Sequence, residues 1–218
     1  MITDQNIVVT SRGPITVRVH HDLRFFCAAV ALLEGDGTRE HSLHFVLLAC
    51  HADMADEAPI ATTERLTSAL AEEVLSCLSK KQSDIRDVLK ASNVAAAATD
   101  RYYSILAGRV TQRNVIVGAL GSVHGVVVKG SARSPVITPN VVRIGEHAVL
   151  DGVFGIGFRE EAVSAKQFDL DHDATLLLII GEEAAAADSI ARHREAEAFI
   201  EDVVRAARIY PPIVAVVR

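Results

Sequence analysis

Tryptophan is absent from the 218 residues and aromatics make up only 5% of them, so a core must be built mainly from Ala, Val, Leu and Ile. Half of the chain is hydrophobic, which supplies such a core for one compact domain spanning residues 1–218. Glycine and proline are few (13 and 6), and no linker, repeat or low-complexity tract divides the chain. Basic residues are not in surplus: the net charge of −6, with no basic stripe, excludes a nucleic-acid partner. No apolar run approaches the roughly 20 residues that span a bilayer, so no membrane span is expected. Met1-Ile2-Thr3-Asp4 does not begin a signal peptide. Cysteines are three, an odd number, and Cys27, Cys50 and Cys77 each sit in apolar surroundings. They read as small buried hydrophobes in a reducing cytoplasm rather than as bridges or zinc ligands.

What is present is a succession of period-two runs broken by helical ones. Residues 5–10 and 15–20 are β-rich and separated by the turn signal Ser11-Arg12-Gly13-Pro14. Strands are predicted over Leu23 to Leu33 and Leu43 to Cys50. Two helices follow, one from about Pro59 to Leu78, the other from an N-cap at Ser83 to about Tyr103. Ser104 to Val110, Asn114 to Leu120 and Val123 to Lys129 read as an antiparallel meander with tight turns. Shorter strands are predicted at 135–138, 141–144 and 162–168. Ala174 to Ile180 is uninterrupted and apolar, as expected of a strand buried on both faces. Glu182 to Arg208 is helical, Pro211-Pro212 breaks it, and Ile213 to Val217 closes the chain as a strand. This order predicts an α+β fold: a four-layer αββα sandwich, two central antiparallel sheets flanked by helices.

The most informative stretch runs from His44 to Leu70. The apolar strand Phe45 to Cys50 empties into an acidic loop ahead of a helix, a common way to set metal ligands at a sheet edge. His51, Asp53, Asp56 and Glu57 are the candidate ligands there, a set suited to Mn or Mg, with Glu182 or Glu183 as a further donor. The same acids also read as a solvated loop that favours the helix N-terminal dipole.

Four segments resemble the metal-dependent type 2C serine/threonine phosphatases, including bacterial relatives in sporulation and stress signalling. Phe45 through Ala58 is similar to the family's strand leading into Asp-Gly-Met-Gly-Gly; Asn114 through Val128 to the strand pair carrying Gly-Asp-Ser-Arg. Asp173 through Glu183 resembles the strand ending in Ser-Asp-Gly, and Tyr210 through Val217 the terminal strand introduced by Asp-Asn. The resemblance implies two divalent metals held by the Asp residues of the first, third and fourth motifs, bridging the water that attacks phosphorus. It also implies that those ligands are lost here. Matching Met54 to the family's Met puts Ala52 at the Asp; Gly181 stands at the third motif's Asp; Pro211-Pro212 replace Asp-Asn; Gly121-Ser122 carry no Asp. No Asp lies between Asp202 and the C-terminus, so no one-residue slip restores the last ligand. Arg18 and Asp22 are the candidates for the family's early phosphate-binding Arg and acidic metal partner.

Other motifs have simpler readings. Asp169-Leu-Asp-His-Asp173 has Ala174 where a calcium loop needs Gly and runs on into an apolar strand, so a polar hairpin turn is expected. Gly121-Ser-Val-His-Gly125 is not a Gly-x-Ser-x-Gly elbow, because a strand and not a helix follows it; Ser122 and His124 are expected on one face of a hairpin. Gly152-Val-Phe-Gly-Ile-Gly157 does not lead into a long helix, which argues against a dinucleotide site. His20-His21-Asp22 and the His41/His44 pair have spacings that do not converge two ligands on one strand face. Ile190, Ala198, Val203 and Val204 form an apolar helix side, read as packing on the outer sheet face or as a face for dimerisation or partner docking.

Three functions are expected from these readings. The first is a catalytically inactive phosphatase-like domain with no catalytic residue, no metal and no cofactor, acting through a protein partner in bacterial signalling or assembly. The second is a divergent Mn- or Mg-dependent serine/threonine phosphatase using His51, Asp53, Asp56 and Glu57. The third is an N-terminal-nucleophile hydrolase of the same layer order, for which Thr3 would need processing. A homo-oligomer is compatible with each.

Overall fold

The computed structural model describes residues 7–20, 26–35, 42–51, 60–80, 84–111, 114–180 and 213–218. Alternating apolar and polar residues make the first hairpin, β1 (Ile7–Arg12) and β2 (Ile15–His20), around Gly13 with φ +51. β3 (Phe26–Gly35) and β4 (Ser42–His51) pair antiparallel over their whole length. Helices α1 (Ile60–Lys80) and α2 (Ile85–Ala97) follow. β5 (Tyr102–Thr111) and β6 (Asn114–Leu120) form a second hairpin. Then come β7 (Val123–Lys129), β8 (Ala132–Ile137), the small hairpin β9 (Val141–Ile144) and β10 (His147–Leu150), and β11 (Phe154–Gly155). A 3-10 turn at Glu160–Ala162 leads to β12 (Ser164–Asp169), β13 (Ala174–Ile180) and β14 (Ile213–Val217).

Apart from β9 and β10, which pair only with each other, these strands build two sheets. The first has the order β1-β2-β14-β13-β7-β8; the second runs β12-β6-β5-β4-β3, with β11 added against β5. All neighbours are antiparallel. Between the sheets lies a core in which Ile15, Val17, Leu176, Leu178, Ile213 and Ala215 meet Phe45, Leu47, Leu106, Val115 and Val117. A second core joins the other face of the second sheet to the helices, where Val46, Leu48, Ile105 and Ala107 cluster with Leu70, Val74, Val88 and Leu89. Small residues bring α2 close: a Cβ on Gly118 would meet Ile85 Cγ1 at 2.6 Å.

Leu177, Ile179 and Val216 alternate away from the inter-sheet core and are buried as well, so β13 and β14 are covered on both faces, as the unbroken apolar run predicts. The helix expected over Glu182 to Arg208 lies outside the described residues, and with it the fourth layer. Cys50 is a buried thiol and Cys77 a half-buried one.

Four expectations need correction. The meander ends at Leu120: β6 belongs to the second sheet and β7 to the first, so Gly121-Ser122 is a crossing between sheets and not a hairpin turn. Gly121 adopts φ +88 to make that crossing. Asp169 to Asp173 likewise carries the chain from β12 in one sheet to β13 in the other, instead of closing a hairpin. The N-cap of α2 is Asp84, whose side chain accepts from Arg86 N at 2.9 Å, and the helix stops at Ala97, before a left-handed Asp100 (φ 56). The apolar Tyr102 and Tyr103 start a strand rather than end a helix.

No helix among the described residues is long and apolar enough to cross a membrane.

Candidate functional site

The register brings the four motif-bearing segments to one end of the sandwich. Val19 near the exit of β2 pairs with Ile213 at the entry of β14. Ile213 pairs with Ile180 at the exit of β13, and Ile180 pairs with Val123 at the entry of β7. In the second sheet Cys50, one residue before the end of β4, pairs with Tyr103, and Ile105 pairs with Leu120 at the exit of β6. Gly121-Ser122 joins that end of the second sheet to the same end of the first. The loop after β4, the β6–β7 crossing, the exit of β13 and the entry of β14 therefore arise together, although up to some 160 positions separate them in sequence.

The crossing is tightly built. Ser122 N donates to Ser104 Oγ at 2.9 Å, and both residues are buried. A Cβ on Gly121 would stand 2.6 Å from that same Oγ, so only glycine lets the chain turn this closely. Ser122 lies in the bend, outside β7, so strand alternation does not extend to it. His124 is in β7, and because Val123 faces the inter-sheet core, His124 faces the outer side of the first sheet. It stands in one register row with Ile179, Val214, Arg18 and Val9. Burial pushes the His124 imidazole below its ordinary value, so it is neutral at pH 7. Arg18 thus sits on the outer face of the sheet, in line with His124.

Asp53, Asp56 and Glu57 lie outside the described residues, as do Ala52, Asp22, His21, His41, Gly181, Glu182, Glu183, Pro211 and Pro212. His51 is the last residue of β4, with its side chain outside the description. Among the described residues no three of His, Cys, Asp or Glu gather in a way that could hold a metal ion. The described polar groups at the crossing itself are the hydroxyls of Ser104 and Ser122.

The other motifs are structural. Asp171 Oδ2 lies 2.5 Å and Asp173 Oδ1 3.4 Å from Lys129 Nζ, so the Asp-rich segment ties down the end of β7. Gly155, at φ +106, is clasped by Asn93, which accepts from Gly155 N at 2.7 Å and donates to its carbonyl at 3.2 Å. His44 is a buried core histidine. Burial first, and the Arg109 charge second, lower its pKa.

No protein-family model matches the chain, and no curated protein matches it in sequence. Solved structures do match in shape. The serine/threonine phosphatase Stp1 from Staphylococcus aureus superposes with a TM-score of 0.63 at 10% identity, over 99% of this chain and 97% of that one. RsbX, solved in complex with magnesium, gives 0.56 at 9% identity, covering 96% of each chain. A protein of the bacterial stressosome, a modular system adapted to control secondary messenger signalling, gives 0.58 at 13% identity, over 93% of this chain and 95% of that one. The resemblance read from the strand order therefore holds for the fold: this chain has the fold of the serine/threonine phosphatases.

Proposed function

We propose that this chain is a phosphatase-fold domain that acts by binding a protein partner, with the two-metal reaction lost. One observation carries the reading. The strand ends that converge on one end of the sandwich carry Ala52, Gly121-Ser122, Gly181 and Pro211-Pro212 at the positions that resemble the family's motifs. A bimetal centre needs several carboxylates pointing at one spot, and replacing all of them removes both the metal charge and the activated water. The fold is unaffected by such losses, because the core rests on other residues. The stressosome neighbour supports a setting of protein assemblies in bacterial signalling.

Turnover of p-nitrophenyl phosphate and of a phosphoserine peptide, with Mn or Mg added, tests this reading. No turnover above the metal-only blank is expected, while a partner recovered by cross-linking in the source cell should bind the purified chain in the presence of EDTA. Metal-dependent turnover that disappears in Asp53→Ala would instead establish the acidic loop as a working site.

A further inference from the structure

Four of the seven large apolar side chains that stand exposed among the described residues lie on one short hairpin, β9–β10: Val141, Val142, Ile144 and Val149, at 43–65% exposure. The hairpin joins neither of the two large sheets. Its register pairs Val142 with Val149 and Ile144 with His147, so these four exposed side chains share one face. Its base is fixed. Asp151 N donates to Asn140 O at 2.8 Å, Asn140 Nδ2 donates to the Ala162 carbonyl at 2.7 Å, and Arg159 pairs with Asp151. The hairpin springs from the motif-bearing end, because β8 leaves its sheet at Ile137, opposite Gly125 near the entry of β7.

A two-stranded ribbon is marginal by itself in water, and further strands against an apolar face are what stabilise it. The bond between Asn140 and Asp151 sets the alternation along β9. Val142 and Ile144 turn N–H and C=O toward β10; Val141 and Arg143 turn theirs outward, to an edge that no strand pairs among the described residues. An exposed apolar edge of this kind is a template for another strand. This edge fits its own copy. With two β9 strands antiparallel about a twofold axis at Val142, Val141 of each faces Arg143 of the other, and these pairs exchange both backbone bonds. Val142 then meets the partner's Val142 in a close, non-bonded pair, and the Val149–Val142 pairs of the two copies form one apolar row across four strands. An axis at Arg143 would oppose two guanidinium groups, and one at Val141 would set Arg143 against Pro139, which has no N–H to give.

We propose that this hairpin is a self-association arm: two copies of the chain pair through β9 and form a four-stranded sheet about Val142. Dimerisation of this kind does not depend on whether the strand ends hold metal. Two strands of 4 residues are small beside the roughly 1,200 Å2 that a standard interface buries at the least. The dimer is therefore weak and concentration-dependent, with a Kd on the order of 10–100 µM.

Sedimentation of the full chain between about 5 and 500 µM, in EDTA, tests this: the average mass should rise from one chain toward two. Val142→Lys sets two ammonium groups against each other at the axis and should raise the Kd about tenfold or more, at an exposed position where folding is not at stake. Mixing the Val142→Lys and Val142→Glu variants should restore association to within about threefold of the parent chain. Val94→Lys, on the exposed side of α2, should leave it unchanged. Under mild oxidation Val142→Cys should be trapped as a covalent dimer, since a non-bonded pair has its Cα atoms about 4.5 Å apart, within disulfide reach. Ile144→Cys should not, because four strand positions, roughly 13 Å, offset it from the partner's Ile144. A chain that stays monomeric up to about 500 µM, well above the expected Kd, would overturn the proposal. So would association unaffected by Val142→Lys, a mixture no tighter than Val142→Lys alone, or equal trapping at the two cysteine positions.

Discussion

Replacing Gly118 by alanine should wedge α2 away from the second sheet, and removing Ile85 should relieve the wedge. A Cβ on Gly118 would meet Ile85 Cγ1 at 2.6 Å, Ile85 Cγ2 at 3.2 Å and Leu89 Cδ1 at 3.2 Å. All three atoms are side-chain carbons of buried residues, so the clash is overpacking and not a backbone collision. Gly118→Ala alone should cost about 1–3 kcal/mol. Ile85→Ala alone should cost about 2–5 kcal/mol, from lost burial and the cavity left behind. In the double variant the new methyl occupies part of the vacated space, so the total should fall short of the sum by about 1–2 kcal/mol. With no tryptophan in the chain, far-UV circular dichroism during urea unfolding is the natural readout. In heat unfolding each kcal/mol corresponds to roughly 2–4 °C for a chain of this size. Costs that add within about 0.5 kcal/mol would mean that Ile85 does not sit on Gly118. The docking of α2 on the second sheet would then be wrong.

Other consequences are as direct. Gly155→Ala places a Cβ 2.1 Å from the Arg101 carbonyl at φ +106, and should cost about 3 kcal/mol or more. Gly130→Ala, at φ +57 with open space around it, should cost only about 1–2 kcal/mol; equal losses at the two sites would refute the close approach of β11 to β5. Lowered pKa values for His44 and His124 mean that the unfolded chain takes up protons first as the pH falls below 6.5. Stability should therefore be full above about pH 6.5 and decline as the pH drops toward the folded-state values. His124→Gln should flatten that decline in urea midpoints measured between pH 7.5 and 5.5; an unchanged slope would show that His124 titrates normally.

Much of the fold was legible because its signals are local. β2, β6 and β7 have the limits that period two and their flanking turns predict, β13 those of its unbroken apolar run, and β14 those set by the break at Pro211-Pro212. The errors fall where tertiary context decides. A glycine turn reads the same whether it closes a hairpin or crosses between sheets, so sequence alone presents the Gly121-Ser122 crossing as a meander turn. The alanines ahead of Asp100 favour helix, and only strand pairing claims Tyr102 and Tyr103 for β5. β10 is not among the predicted strands, although Gly145, at φ +63, marks the turn before it. Some meetings have no local signature at all. Arg109, Ile116 and Gln167 meet only through the register of three strands, and Asp84 arrives with a helix that packs on Gly118. The convergence of the motif-bearing strand ends, by contrast, follows from the strand order that the sequence resemblance implies.

The proposed loss of the two-metal centre is open to one decisive experiment, calorimetric titration of Mn and Mg into the chain. No saturable binding in the micromolar range is the predicted result. Two-site micromolar binding that is abolished by Asp53→Ala would contradict it.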